Sequence, residues 1–415
     1  MNAEDFQIAR LLVISTGLWP SAGQVASALG LAGFHVAIVC PIDSPACRLR
    51  KLNAHFPYRS SASSASIQSA IAMWSPDVLV CADDLAVQEL HSLYFKASNI
   101  LDQPKRTRLM NLIELSLGDP HSFVATLSKS EILLQAKSLG IICPQTITLT
   151  DNLGFAREDS GMVFPIMVKT DDAWGGLGVR RVNDQLELRA AITELSLPYN
   201  WPGPLKRFIG RLLRRVFFRW LSKWPRKMSI QEYVVGRPCN CAVVCWKGKV
   251  LAGITVDVLK TSYEFGPSTI VRVIDHPSVT AAAEKIVAKL NLSGFLGFDF
   301  ILDPANKVWF LEMNPRATPT SHICARDQDL AGSFFSQITG KRPKAVGRVI
   351  HQDLITLFPA EALPVNETMI PNASSGNDTP DDEPEFVEAC RAREQKKMRR
   401  RFWRLRKSNE LGPRA

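Results

Sequence analysis

The stretch running from Gly297-Phe298-Asp299-Phe300-Ile301-Leu302-Asp303-Pro304 to Val308-Trp309-Phe310-Leu311-Glu312-Met313-Asn314-Pro315-Arg316 gathers the side chains best suited to chemistry. Two short apolar runs flank an Asp-Pro-Ala-Asn turn, the pattern of a tight β-hairpin. Side chains alternate along a strand, so Glu312 and Asn314 share a face, and an antiparallel partner can bring Asp299 alongside them. Two carboxylates and an amide oxygen suit Mg²⁺, which takes a few carboxylates and completes its shell with nucleotide phosphates. Arg316 adds a fixed cation to the same face. Alone, these acids would read as ordinary edge-strand charges.

They are not alone. Phe164-Pro165-Ile166-Met167-Val168-Lys169 reads as a strand that carries a lysine into Trp174-Gly175-Gly176-Leu177-Gly178-Val179. Glycines let backbone N–H groups approach phosphate oxygens, and the strand lysine can reach the same charge. The loop is neither a G-x-G-x-x-G dinucleotide fingerprint nor a Walker A sequence. Upstream, Ser128-Lys129-Ser130-Glu131 reads as a helix start, with Ile132, Leu133, Ala136 and Leu139 on its buried face and Gly140 as its stop.

The elements that must position these groups begin with Leu11–Ser15, a buried-strand run, then a helix over Ser21–Ala32 and a strand over Phe34–Cys40. Pro76–Ala82 is a third strand, ending in Asp83-Asp84. Strand, helix and strand at these lengths give a parallel βαβ sheet, whose ligands bind at the carboxyl edge. Asp83 and Asp84 are therefore site candidates, and capping of the following helix explains them equally well.

The order Lys129, Lys169, the 174–178 loop, Gln231-Glu232-Tyr233-Val234, Asp299, Glu312, Asn314, Arg316 resembles the ATP-grasp superfamily. Within it the chain is most similar to bacterial carboxylate-amine ligase-like proteins, over about residues 10 to 350, most specifically at 297–322. The resemblance implies a mixed α/β and α+β architecture: an N-terminal parallel-sheet pre-ATP-grasp domain (1–115), then an ATP-grasp domain (116–355) with a lid at about 145–230. It implies ATP and Mg²⁺ (or Mn²⁺) as cofactors. By the same likeness, Lys129 and Lys169 would bind ATP phosphates, Gly175, Gly176 and Gly178 would form a phosphate flap, and Gln231, Glu232 and Val234 would belong to the adenine-binding hinge. Asp299, Glu312 and Asn314 would hold the metal, and Arg316 would face the reacting carboxylate or acyl phosphate.

Two departures stand out. No acid follows the hinge in Gly236-Arg237-Pro238-Cys239-Asn240, where many members bind ribose, so Glu232 is the substitute. Some amide-forming members carry an arginine where Gly297 stands, which leaves Lys260 and Arg272 as candidate catalytic cations for the γ-phosphate. The expected activity is ATP-dependent joining of a small carboxylate to an amine through an acyl phosphate. A noncatalytic nucleotide-binding or membrane-recruited scaffold and an ATP-grasp phosphotransferase are the alternatives. Thr318–His322 lies where the amine should sit, and His322 reads either as its orienting base or as a structural histidine.

Composition bounds the rest. The 415 residues, 46% hydrophobic and 22% charged, suffice for two or three globular units. No run of about 18 apolar residues appears and the N-terminus lacks the order of a signal peptide, so the expected location is cytoplasmic. Nine scattered cysteines fit reduced thiols, and Cys239, Cys241 and Cys245 fit buried structural positions rather than a zinc cluster.

The net charge of +10 is uneven: residues 201–227 and 390–415 carry +9 each, leaving −8 on the remainder. In 205–223 the apolar residues repeat at intervals of 3 and 4 beside a cationic face. Docking on an anionic membrane and packing on the lid fit this pattern equally, and nucleic acid is disfavoured because no base-reading module accompanies it. Residues 356–415 read as a disordered linker, with Pro364–Glu385 its polar core, and a basic tail at 391–407 that could meet the inner membrane face.

Overall fold

The computed structural model describes residues 9–100, 102–149, 161–170, 176, 178–196, 228–359 and 376–396. The basic segment 201–227, the flap residue Gly175 and the tail beyond 396 lie outside the described residues. No described helix is long and apolar enough to cross a membrane.

Four strands form the N-terminal sheet: β1 (Arg10–Ile14), β2 (His35–Cys40), β3 (Ala54–Pro57) and β4 (Val78–Cys81), all parallel in the order β3-β2-β1-β4. Leu11 to Ile14 are fully buried, because a parallel strand is covered by helices on both faces. Helix Pro20–Ala32 starts with proline in its first turn, where the missing N–H costs nothing, and covers one face. Helices Ser63–Trp74, Asp84–Ile100 and Gln103–Leu117 cover the other. The β3 strand was not anticipated: Ala-His-Phe-Pro sits half-buried at a sheet edge and has no apolar alternation.

A second sheet is antiparallel in the order β5-β8-β6-β7, from β5 (Thr146–Leu149), β6 (Ile166–Thr170), β7 (Val179–Val182) and β8 (Met228–Glu232). Helix Gln185–Leu195 packs Leu188, Ala191, Ile192 and Leu195 onto it. Just upstream, Ser128 caps helix Lys129–Ser138 by accepting the Glu131 N–H, as its sequence promised.

The largest sheet holds seven strands in the order β13-β12-β9-β10-β11-β16-β17. They are β9 (Arg237–Trp246), β10 (Lys249–Thr261), β11 (Ser268–Ile274), β12 (Gly294–Leu302), β13 (Val308–Asn314), β16 (Leu354–Thr356) and β17 (Gly376–Asn377); a two-residue ladder, β14 (Cys324–Ala325) and β15 (Gln328–Asp329), stands apart. Alternation divides its residues between two cores. Ala242, Val244, Ile254, Val256, Val271 and Val273 join the core of the N-terminal unit, whereas Cys239, Cys241, Val243 and Cys245 pack on helix Pro277–Leu290. All nine cysteines carry free thiols.

The expectation of a disordered linker over 356–415 is corrected for residues 376–396. β17 pairs with β16, and a helix over 384–396 buries Phe386, Val387 and Cys390 in the core shared with helix Pro20–Ala32. The polar composition misled because its polar groups replace water as partners: buried Asp378 accepts the Phe358 N–H, and buried Glu383 accepts the Arg50 N–H at 2.8 Å. Gly23 makes room for the Phe386 ring, since a Cβ there would lie 2.4 Å from it. Phe386→Ala should therefore cost about 3–5 kcal/mol of stability in urea titrations, and an unchanged midpoint would mean that this segment does not belong to the core.

Candidate functional site

The β12–β13 hairpin places Asp299 directly opposite Glu312 and Gly297 opposite Asn314, with a bulge at Leu311 between the Asp299–Glu312 and Phe300–Phe310 pairs. A side chain at Gly297 is excluded, because its Cβ would meet Thr318 Cγ2 at 2.2 Å. Asp299 is held on three sides. Asn240 Nδ2 donates to its Oδ1 at 2.5 Å, Asn314 Nδ2 donates to its Oδ2 at 3.1 Å, and the Glu312 carboxyl group hydrogen-bonds it. Lys129, at the start of its helix, pairs with Glu312 Oε2 at 3.2 Å. Arg316 donates from Nη2 to Asn314 Oδ1 at 3.3 Å and from Nε to Asp84 Oδ2 at 3.1 Å.

These contacts set the charges. Burial first, then the Glu312 charge, pushes the Asp299 carboxyl up to about 7. Burial acts on Glu312 in the same direction, but Lys129 and Lys169 outweigh it and hold that carboxyl at about 2. Lys169, on β6, is lowered to about 8 by burial, with Glu312 pulling it back and Lys129 opposing. Of the pair, Glu312 is the more acidic carboxyl, and Asp299 is the one that burial and its neighbour shift up.

A cleft of about 430 Å³, within the range that holds small-molecule ligands, opens between the β5-β8-β6-β7 sheet and the large sheet. Lys129, Lys169, Gly176, Gln231, Glu232, Val234, Asp299, Glu312, Asn314 and Arg316 all line it. Gly178 does not; its carbonyl accepts the Thr170 N–H at 3.0 Å and closes the base of the loop. Gly176 has φ +75°, and a Cβ there would stand 1.8 Å from the Phe265 carbonyl oxygen, so Gly176 meets the β10–β11 turn through its backbone. Glu232 spends its carboxylate on the Gln145 N–H at 3.0 Å, and Gln231 donates to Thr146 Oγ1 at 3.1 Å.

Lys260 and Arg272 are corrections. Arg272 pairs in register with Asp257, so it lies on the opposite sheet face from Val256, Asn240 and Asp299. A register shift after Val258 puts Lys260 opposite Ile270, on that same far face. Both are exposed and neither lines the cleft. His322 is also away from the cleft lining, with Nε2 2.9 Å from Asp378 Oδ2 and 3.0 Å from Gln24 Nε2. Sequence reasoning missed Asn240, whose Oδ1 accepts from Ser268 while its amide holds Asp299. The only signal for it is the β9–β12 pairing, which no single strand reveals.

Asp83 and Asp84 separate into two roles. Asp83 accepts from the Thr16 N–H, Thr16 Oγ1, Ser15 Oγ and the Ala86 N–H, at 2.7 to 3.1 Å, which ties β1 to the helix after β4. Asp84 lines the cleft and anchors Arg316.

Residues 215–320 match the family profile described as the ATP-grasp domain. Residues 215–320 thus carry the signature of an ATP-grasp domain. Its fold is similar to that of carboxyaminoimidazole ribonucleotide synthase from Aspergillus clavatus complexed with ATP, at TM-score 0.58 and 16% identity over 84% of this chain and 81% of that one. Biotin carboxylase from Campylobacter jejuni gives TM-score 0.57 at 14% identity over 81% and 72% of the two chains. N5-carboxyaminoimidazole synthetase from Staphylococcus aureus complexed with ADP gives 0.55 at 14% identity, over 85% and 82%.

The two adjacent acids Asp83 and Asp84 should behave differently in chemical denaturation. Asp83→Ala should lose roughly 2–4 kcal/mol, having left several donors unpaired. Asp84→Ala, which removes one partly exposed ion pair, should lose about 1 kcal/mol or less. Equal losses would contradict the division of roles.

Proposed function

We propose that the chain is an ATP- and Mg²⁺-dependent ligase that joins a carboxylate to an amine through an acyl phosphate. The observation that carries this reading is the convergence of Asp299, Glu312 and Asn314 with Lys129, Lys169 and Arg316 in one cleft. The oxygen donor set fits Mg²⁺ or Mn²⁺: two carboxylates face one another across a ladder, with an amide beside them. Held by these three residues, the ion would supply neutralising charge for the nucleotide phosphates.

A free carboxylate is a poor acyl donor. Its oxygen attacks the γ-phosphorus, the bond to the β-phosphate bridging oxygen breaks, and ADP leaves. The amine then adds to the acyl carbon, and the tetrahedral species expels phosphate while the amine proton passes to solvent. Lys129 and Lys169 neutralise oxygens of the transferring group, and Arg316, fixed by Asp84, faces the acyl phosphate. Closure of the flap against Phe265 excludes water from that mixed anhydride. No nucleophilic side chain is required.

The chain is expected to turn ATP into ADP and phosphate only with Mg²⁺ or Mn²⁺ and a cognate carboxylate present. A phosphate-release screen over pools of amino acids and small carboxylates, with mass spectrometry of products, reads this directly. Release of AMP and pyrophosphate would indicate adenylation and overturn the acyl-phosphate route. Glu312→Gln and Asn314→Ala should each reduce kcat roughly 100-fold or more while leaving the circular dichroism spectrum unchanged. Gly176→Val should raise KM for ATP about tenfold, through the strained φ and the collision with Phe265; unaltered nucleotide affinity would show that this contact plays no part in binding.

A further inference from the structure

In the N-terminal unit, three side chains with soft or imidazole donors meet in a place that the cleft does not use. Cys40 ends β2, Cys47 lies on the 3₁₀ turn Pro45–Arg48, and His55 is on β3. We propose that Cys40, Cys47 and His55 form a binding site for one zinc ion, with the fourth coordination position open to water.

Their spacing carries the inference. Cys40 Sγ and Cys47 Sγ are 3.7 Å apart, Cys47 Sγ and His55 Nε2 are 3.1 Å apart, and all three donor atoms lie within 4.8 Å of one another. Around a tetrahedral zinc ion, with Zn–S near 2.3 Å and Zn–N near 2.0–2.1 Å, neighbouring sulfurs lie about 3.8 Å apart and a sulfur and nitrogen about 3.6 Å apart. The sulfur pair is already at that separation, and the Cys47–His55 distance is about 0.5 Å shorter than the ideal one.

The fold explains the meeting. In the parallel β2–β3 ladder His55 is the partner of Ile38, which shares its sheet face with Cys40. The 3₁₀ turn, capped by Ser44 Oγ on the Ala46 N–H, brings Cys47 over the same edge. Cys40 is fully buried, while Cys47 and His55 are half-buried and leave a side open for a water ligand. Binding forms two Zn–S bonds and one Zn–N bond, and any proton the two thiols carry passes to solvent. The ion would tie the edge strand β3 to β2 at the carboxyl edge of the sheet, where ligands of parallel sheets are bound.

The test uses the full chain, reduced and freed of metal by a chelator, titrated first with Co²⁺ and then with Zn²⁺. One equivalent of Co²⁺ should give a thiolate-to-cobalt charge-transfer band that Zn²⁺ abolishes; a cobalt ion at Asp299 and Glu312 gives no such band. Cys47→Ser and His55→Asn should weaken binding at least about 100-fold, and Cys143→Ser, outside the cluster, should leave it intact. Should a variant misfold, protection of wild-type Cys47 from alkylation by Zn²⁺, mapped by peptide mass spectrometry, reads the site without substitution. A folded wild-type chain with no thiolate band, undiminished binding in both variants, or a Cys40–Cys47 disulfide in a chain that takes up no metal would each overturn the proposal.

Discussion

Asp299 and Glu312 stand side by side on neighbouring strands, in a cleft where water screens them only in part. Two like charges at that separation in a low dielectric are costly, so the structure has to supply protons or cations. It supplies them from three directions. Lys129 comes from helix Lys129–Ser138, Lys169 from the internal strand β6 of the β5-β8-β6-β7 sheet, and Arg316 from the chain just past the hairpin. One carboxylate pair thereby determines where three separate parts of the chain must lie.

The same constraint reaches into the N-terminal unit. Arg316 is a third, partly buried cation that finds its anion in Asp84, and Asp84 is placed by β4 ending one strand away from β1. Ala317 N–H donates to the Cys81 carbonyl at 2.9 Å, so the chain after the hairpin is fastened to the carboxyl end of β4. The parallel sheet therefore contributes through its edge, as open α/β sheets generally do, while its apolar residues merge with one face of the large sheet into a common core.

Local patterns made much of this legible. The hairpin, the Ser128 cap, the buried parallel strands and the positions of Asp299, Glu312, Asn314 and Lys169 all follow from period-2 alternation, turn residues and buried runs, which act within a few residues. What escaped depends on distant pairing. Asn240 belongs to the site because β9 lies between β12 and β10, and Lys260 and Arg272 are outside it because a bulge and the β10–β11 register turn them to the far face. Residues 376–390 escaped for another reason: Asp378 and Glu383 each accept from a main-chain N–H far away in sequence, at Phe358 and Arg50, so composition alone imitated a linker.

If, as proposed, the Asp299–Glu312 pair is a cation site completed by nucleotide, electron paramagnetic resonance of Mn²⁺ will read it. Titration of the full chain with Mn²⁺, with and without ADP, should show one site that binds at least about tenfold more tightly when nucleotide is present, and Asp299→Asn should abolish that nucleotide-dependent site. Mn²⁺ binding that ignores ADP, or that survives Asp299→Asn unchanged, would contradict the account.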